Sequence, residues 1–255
     1  MKKLLISIIF FCFLISNLFA DPTPNRGPEY ADYLDASIFI QVGHKGGSGT
    51  IIYYDPYNNN AYVASCGHLW DYKGEECYIQ IWYQNKTRLS QPKWYKGQCL
   101  FYNNSAEYDC SLVVFKPDWR PTYFSIANYN PEVNKNYVST GCDNGTEVAA
   151  YLIRIIKIDE TGTIHTYYNS PRGGRSGGGL LDGAYYVGIC TRSSDKIGGN
   201  GYGQYTGLPA LRAVYKQNGY DWLLNLPPYD FARRIPIINH TNPNKRYNPS
   251  YITIP

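Results

Sequence analysis

The sequence predicts an all-β protein, a barrel or sandwich built from two successive series of short strands. Three observations predict it. Short apolar runs recur along the chain, and the breaks between them are rich in Gly, Asn, Asp and Pro, as at residues 55–60. Tyr occurs 27 times in 255 residues, and aromatic rings suit a pleated, half-buried surface. Hydrophobic residues make up 44% and charged residues only 17%, a balance that excludes a disordered chain.

The first strand series falls at residues 36–42, 50–54, 61–65, 78–82, 99–102 and 111–115, after an extended, Pro-rich lead-in over 21–30. A linker-like stretch follows at 117–131. The second series covers 137–140, 148–158, 163–168, 179–181 and 185–190. No obvious sequence repeat relates the two. One helix is expected late. Pro209 suits its first turn, Gly219 suits the position past its end, and Leu208, Leu211 and Tyr215 keep helical spacing. Thr206 or Gly207 is placed to cap it, and 221–224 to extend its packing. These readings divide the chain into a first β unit over 29–120, a second with the helix over 121–225, and a Pro- and Asn-rich tail over 226–255.

Residues 1–20 read as a secretory signal peptide. Lys2 and Lys3 precede an apolar run over 4–18, and Ala20 offers a small residue for cleavage. The run is shorter than the ~20 residues that span a bilayer. The expectation is a secreted or periplasmic protein with no stable membrane association after cleavage. Removing the leader leaves 235 residues and lowers the formal charge from +4 to +2. With no basic run, a nucleic-acid partner is not expected. Six cysteines remain, Cys66, Cys77, Cys99, Cys110, Cys142 and Cys190. An even number in an exported chain favours disulfides. The absence of any CxxC pair argues against zinc, and no metal is expected.

Three stretches carry chemistry when taken together. His68 follows a strand in Ala64-Ser65-Cys66-Gly67-His68-Leu69. Asp109 directly precedes an apolar strand in Tyr108-Asp109-Cys110-Ser111-Leu112, where an unpaired carboxylate would be costly. Ser176 lies in Gly173-Gly174-Arg175-Ser176-Gly177-Gly178-Gly179, whose glycines allow successive N–H groups to aim at one point. A strand follows this loop, which disfavours both a phosphate-cradling loop and a lipase-type nucleophile elbow, since each leads into a helix. The chain order is His, Asp, Ser, on two β series.

In these motifs the chain resembles the trypsin-like (chymotrypsin-fold) serine peptidases, in a compact bacterial style, from about Gly43 to Leu224. Gly47-Ser48-Gly49-Thr50 resembles the hairpin that leads to the family's histidine. The resemblance implies two six-stranded antiparallel Greek-key barrels with a C-terminal helix. It implies His68 as general base, Asp109 as the acid that orients it, Ser176 as nucleophile, and the Gly174 and Ser176 N–H groups as the oxyanion hole. Residues 187–193 resemble the strand that pairs with a peptide substrate, with Thr191, Arg192 and Ser193 in contact. Ser170 is placed at the specificity pocket's floor, with Ser193 and Gly203 on its walls. With no acid there, a neutral pocket for an aromatic or medium apolar side chain is expected. No cofactor is implied, and the partner is a protein or peptide substrate.

The sequence departs from the family at several points. Arg175 stands where digestive members carry the Asp that receives a freed N-terminal amine, and no Ile-Val-Gly-Gly start exists. Gly179 replaces a common Pro, and Cys66-Gly67-His68 replaces Ala-Ala-His. Asp71 is the rival acid, but it lies only three residues from His68. The pairings considered for disulfides are Cys66–Cys77, Cys99–Cys110 and Cys142–Cys190. The expected function is an exported serine endopeptidase. The alternatives are a catalytically inactive binding module on the same fold and an esterase using the same triad.

Overall fold

A computed structural model describes residues 27–194 and 202–231. The leader over 1–20, the segment 195–201 and the tail beyond 231 lie outside the described residues. Two closed six-stranded antiparallel barrels account for nearly all the secondary structure. The first contains β1 (Ser37–Val42), β2 (Lys45–Asp55), β3 (Asn60–Ser65), β4 (Glu76–Gln84), β5 (Thr87–Asn103) and β6 (Cys110–Phe115). Its strands run in the spatial order 1-2-3-6-5-4, and β4 closes onto β1.

A short strand β7 (Ser125–Ile126) precedes the second barrel, which contains β8 (Asn136–Gly141), β9 (Ala149–Ile158), β10 (Ile164–Tyr167), β11 (Gly179–Asp182), β12 (Tyr185–Ser194) and β13 (Tyr202–Gly207). Its order is 8-9-10-13-12-11, closed by the pairing of β11 with both β8 and β12. Each barrel therefore repeats the same first-second-third-sixth-fifth-fourth order. The halves share a topology that their side chains do not advertise.

The sequence pattern explains these elements. In β1, Ile38, Ile40 and Val42 alternate inward and meet Ile51, Val63, Ile79 and Ile81 in the first core. All six residues of β6 are buried, because one face fills the barrel and the other is covered by the second half of the molecule. The helix α2 (Leu208–Gln217) returns across the first barrel. Its Tyr215 ring meets Phe101 edge-on at 5.0 Å, and the Tyr215 hydroxyl donates to the Ser111 carbonyl at 3.4 Å. An aromatic pair of this kind is worth roughly 0.5–1.5 kcal/mol beyond its buried area. Gly207 is the N-cap in extended conformation, Pro209 lies in the first turn, and Gly219 has φ +77°, as the helix signals predict. The 3-10 turn Asp221–Asn225 sets Trp222 against the rings of Tyr53 and Tyr62.

Three expectations need correction. The lead-in ends in a helix, α1 (Tyr30–Asp35), held by a reciprocal capping pair between Glu29 and Asp32. One and a half turns are too short to show a helical period. The stretch 117–131 is not a loose linker: Trp119, Tyr123, Phe124 and Ala127 are buried, and β7 pairs in parallel with β12. Its prolines mark an extended path over a shared core. Finally, β5 is 17 residues long rather than four, because the β4–β5 ribbon runs out beyond the barrel. The outer part of β5, residues 87–96, is mostly polar, and its few apolar residues, Leu89, Trp94 and Tyr95, keep no sustained alternation. The ribbon's tip is a two-residue turn, Asn85-Lys86, with both φ positive. Of the tail, residues 226–231 pack inward: Tyr229 and Phe231 are buried against Tyr123 and Phe124, and Ser125 donates to the Pro227 carbonyl.

Candidate active site

The sequence-nominated residues converge at the junction of the barrels. His68 sits in the turn after β3, and Asp109 sits one residue before β6, the neighbour of β3. Strand pairing therefore brings together two residues 41 positions apart. His68 Nδ1 lies 2.7 Å from Asp109 Oδ2. The other carboxylate oxygen accepts the Gly67 N–H at 2.6 Å and the His68 N–H at 3.0 Å. The Asp109 side chain is 4% exposed, whereas the His68 side chain is 40% exposed. A buried acid, satisfied by backbone donors, thus presents one oxygen to an imidazole that reaches solvent.

Hydrogen bonds fix this turn from both barrels. Ser111 Oγ donates to the Cys66 carbonyl at 2.9 Å and accepts from Trp70 Nε1 at 2.9 Å. From β13, Thr206 Oγ1 donates to the Asp109 carbonyl at 3.0 Å. Gly67 has a steric role. A Cβ there would run into the Asn103 carbonyl and approach the Cys110 carbonyl at 3.0 Å. Gly67→Ala is expected to push the turn away from Asp109 and destabilise by about 1–3 kcal/mol. Thermal unfolding would show this as a drop of several degrees. An unchanged Tm would refute the close approach.

Ser176 reaches the same place from the second barrel. The Ser48 N–H donates to the Ser176 carbonyl at 2.6 Å. Gly49 pairs with Ser65, so Ser48 lies beside the Cys66–His68 turn. On the other side, the Gly177 N–H donates to the Cys190 carbonyl of β12 at 2.7 Å. Ser176 is half-buried. Among the described residues no hydrogen bond joins Ser176 Oγ to His68. Instead His68 Nε2 lies 3.6 Å from Cys66 Sγ. Such contacts are often loose before a substrate binds and tighten in the reacting complex.

Asp71, the rival acid, faces away. It is exposed and pairs with Lys45 at 2.7 Å. His165 lies 3.4 Å from Asp159, and His44 sits in the β1–β2 turn.

Cys66, His68 and Asp109 bring one donor atom each to within 4.8 Å of one another, the separation a metal site requires. The chemistry of this set favours a hydrogen-bonded thiol. Both Asp109 oxygens already accept hydrogen bonds. Burial first, and then the Asp109 charge, push the Cys66 thiol well above its ordinary pKa. The same burial disqualifies Cys66 as a nucleophile, which must be an accessible thiolate.

The six described cysteines are all free and buried, contrary to the disulfide expectation. For Cys99 and Cys110 the register gives the reason. Cys99 opposes Val113 and Cys110 opposes Asn103, so they stand four positions apart along the ladder, roughly 13 Å. A bridge needs Cα atoms within about 7 Å. Burial pushes Cys77, Cys142 and Cys190 up to about 12. Iodoacetamide at pH 8 is therefore expected to leave the folded protein unlabelled and to label all six positions after denaturation without reductant. Fewer than six labels would show that bridges exist.

The residues expected to contact substrate lie on or beside β12 and β13. Ser170 Oγ donates to the Tyr202 carbonyl at 3.4 Å, and Ser193 pairs with Gly203 across β12 and β13. Thr191 Oγ1 donates to the Gln204 carbonyl at 3.2 Å, and Arg192, opposite Gln204, is exposed. The pairing of β11 with β12 ends at Ile189, while β13 follows β12 to Ser194. Gly203 is buried beside Thr166 of the neighbouring strand β10 and beside Pro171, both of them buried. A Cβ there would meet Thr166 Oγ1 at 2.7 Å and the Pro171 ring at 2.9 Å.

The residue missed in sequence is Asp143, in the 3-10 turn Asp143–Gly145 after β8. It pairs with the guanidinium of Arg175, which is 1% exposed. The one sequence signal was Arg175 itself, a cation in a glycine loop that burial would oblige to find a partner.

Two barrels of identical strand order, with the His–Asp pair on the first and the serine loop on the second, define the chymotrypsin-like fold of serine proteases. Particular solved structures share it. The Rv3671c protease, in an inactive form, aligns with a TM-score of 0.56 at 14% identity, covering 78% of this chain and 96% of that one. A serine-to-alanine mutant of Rv3671c from M. tuberculosis, also in an inactive form, aligns at 0.56 and 15% identity, over 78% and 94%. The serine endoprotease from Yersinia pestis aligns at 0.54 and 16% identity, over 76% and 67%. No protein-family model and no curated protein sequence matches this chain.

Proposed function

We propose that this chain is an exported serine endopeptidase that cleaves peptide bonds through an acyl-enzyme. The observation that carries the reading is the His68–Asp109 pair, with its acid buried and backbone-held, beside the Ser176 loop. His68 Nε2 takes the Ser176 Oγ proton as the oxygen attacks the substrate carbonyl. His68 Nδ1 donates to Asp109 Oδ2, whose charge stabilises the imidazolium that forms. The Gly174 and Ser176 N–H groups receive the negative oxygen. His68 then gives its proton to the leaving amine, and a water, activated by the same imidazole, releases the acyl group. Every proton in this cycle is carried by His68, and no step calls for a cofactor.

The substrate's main chain runs along Thr191–Ser193. The neutral residues Ser170, Ser193 and Gly203 favour an aromatic or medium apolar side chain before the scissile bond. The leader over 1–20 supports export. Buried free thiols are compatible with an oxidising compartment, since each is out of reach of small oxidants.

A second reading is an inactive binding module on the same fold. The contact of His68 Nε2 with Cys66 Sγ favours it, because that nitrogen must face Ser176 Oγ to act. A fluorophosphonate probe on the mature chain, with Ser176→Ala as control, decides between them. Labelling confined to Ser176 is expected. A folded protein that takes no label would put the binding module first.

A further inference from the structure

The peptide groups of the loop before Ser176 can be accounted for almost one by one. The Arg172 N–H donates to Asp143 Oδ1 at 3.3 Å. The Gly173 carbonyl accepts the Asn144 N–H. The Gly174 carbonyl accepts Ser48 Oγ at 2.7 Å, and the same hydroxyl accepts the Cys142 N–H at 2.7 Å. The Arg175 N–H donates to the Arg172 carbonyl at 3.0 Å, closing a four-residue turn. Gly174 is the third residue of that turn with φ +90°, the type II arrangement that needs glycine there. Among the described residues, the N–H groups of Gly174 and Ser176 find no protein acceptor. Two donors, two residues apart in a half-buried loop, are therefore left open to a ligand oxygen.

The direction of the Gly174 N–H is set by its own peptide unit. Among the described residues no peptide is cis, so this N–H points opposite to the Gly173 carbonyl. That carbonyl is held by the Asp143–Gly145 turn. The turn is held in its place by Arg175. The guanidinium donates from Nε to Asp143 Oδ1 at 2.7 Å and from Nη2 to Asp143 Oδ2, while Nη1 donates to the Asn169 carbonyl at 2.9 Å. Its Cζ lies 3.8 Å from the Tyr151 ring centre. Behind the turn, Cys142 and Val148 pack with Leu34 of α1, and Arg88 of the β4–β5 ribbon forks onto Glu147.

We propose that Arg175 and Asp143 are positioning residues: their buried ion pair locks the Gly173–Gly174 peptide with its N–H facing the cleft, and so holds the oxyanion hole open. Digestive relatives carry an acid before the nucleophile and fill its pocket with a new chain terminus. Here the polarity is reversed and both partners are side chains of the second barrel. Both Asp143 oxygens are already occupied, so the lock has no vacancy for an N-terminal amine. The hole is therefore formed without N-terminal processing. This inference rests on reading Ser176 as the nucleophile, and its test separates the two.

The variants are Arg175→Lys, which keeps a cation but loses the fork, and the paired Arg175→Met/Asp143→Asn, which removes both charges. Kinetics on a peptide amide, fluorophosphonate labelling rates and crystal structures are compared with the parent chain, made with and without an N-terminal extension. The paired variant is expected to lose about 10²–10³-fold in kcat, the cost of one oxyanion donor. KM should stay within about threefold, a split that general destabilisation would not produce. The Gly173–Gly174 peptide should be found flipped, labelling should slow with kcat, and Arg175→Lys should fall between. Should the paired variant fail to fold, Arg175→Lys carries the same comparison. The extension should leave parent kcat unchanged within about twofold. A folded variant with parental kcat and an unflipped peptide overturns the lock and leaves the peptidase reading standing. A tenfold gain on removing the extension overturns it too. A parent chain with neither turnover nor labelling, whose peptide still flips on substitution, overturns the peptidase reading and leaves the lock.

Discussion

Ser176→Ala is expected to lower kcat on a peptide substrate by about 10⁶-fold, and His68→Ala by a similar factor. The two losses are not additive, because nucleophile and base act as one unit: an alkoxide cannot form without the base, and the base has no proton to take without the hydroxyl. Stability should barely change. Ser176 is half-buried and its anchoring bonds come from its backbone carbonyl, which alanine retains. Turnover by Ser176→Ala at a parental rate would refute the mechanism, and an unchanged Tm would exclude misfolding as the cause of any loss.

Asp109 should separate chemistry from stability. In Asp109→Asn the amide oxygen can still accept the Gly67 and His68 N–H groups, so the turn should survive. The amide nitrogen then faces His68 Nδ1 and holds the imidazole in the wrong tautomer, which is expected to cost about 10⁴-fold in kcat. Asp109→Ala should lose that activity and also strand two backbone donors. Each buried, unpaired donor costs about 1–3 kcal/mol. For a domain of this size, each kcal/mol lowers Tm by roughly 2–4 °C. Melting curves and kcat measured on both variants test this. Asn melting like the parent with little activity, and Ala melting well below it, is the expected pair of results. Activity of Asp109→Asn within tenfold of the parent would remove Asp109 from the mechanism.

Fold class was legible because barrel strands with one wet face must alternate or form short apolar runs. The runs at 36–42, 61–65 and 111–115 became β1, β3 and β6 with little change. The helix at Leu208–Gln217 was legible because Pro209 and Gly219 bracket three apolar residues at helical spacing. Less was readable where local pattern and fate part company. The outer part of the β4–β5 ribbon is mostly polar and only partly buried, so its residues carry little period. In 117–131, prolines suggested a linker, but Trp119, Tyr123 and Phe124 bury themselves in the shared core.

The candidate site divides in the same way. The order His68, Asp109, Ser176 and the glycines around the serine stand in the sequence, because the chemistry demands particular residue types and the turns demand particular backbone freedom. Their meeting is a property of the two barrels: β3 lies beside β6, and Ser48 of β2 takes hold of the Ser176 loop. Free cysteines and the Arg175–Asp143 pair are tertiary decisions as well. Whether a thiol finds a partner depends on register, and Cys99 stands four positions from where Cys110 would need it. Whether a cation within a glycine loop is a surface charge or a buried clasp depends on what faces it across 32 residues of chain. Residue types and local freedom are written along the chain, whereas distances between remote residues arise only when strands pair and the barrels close.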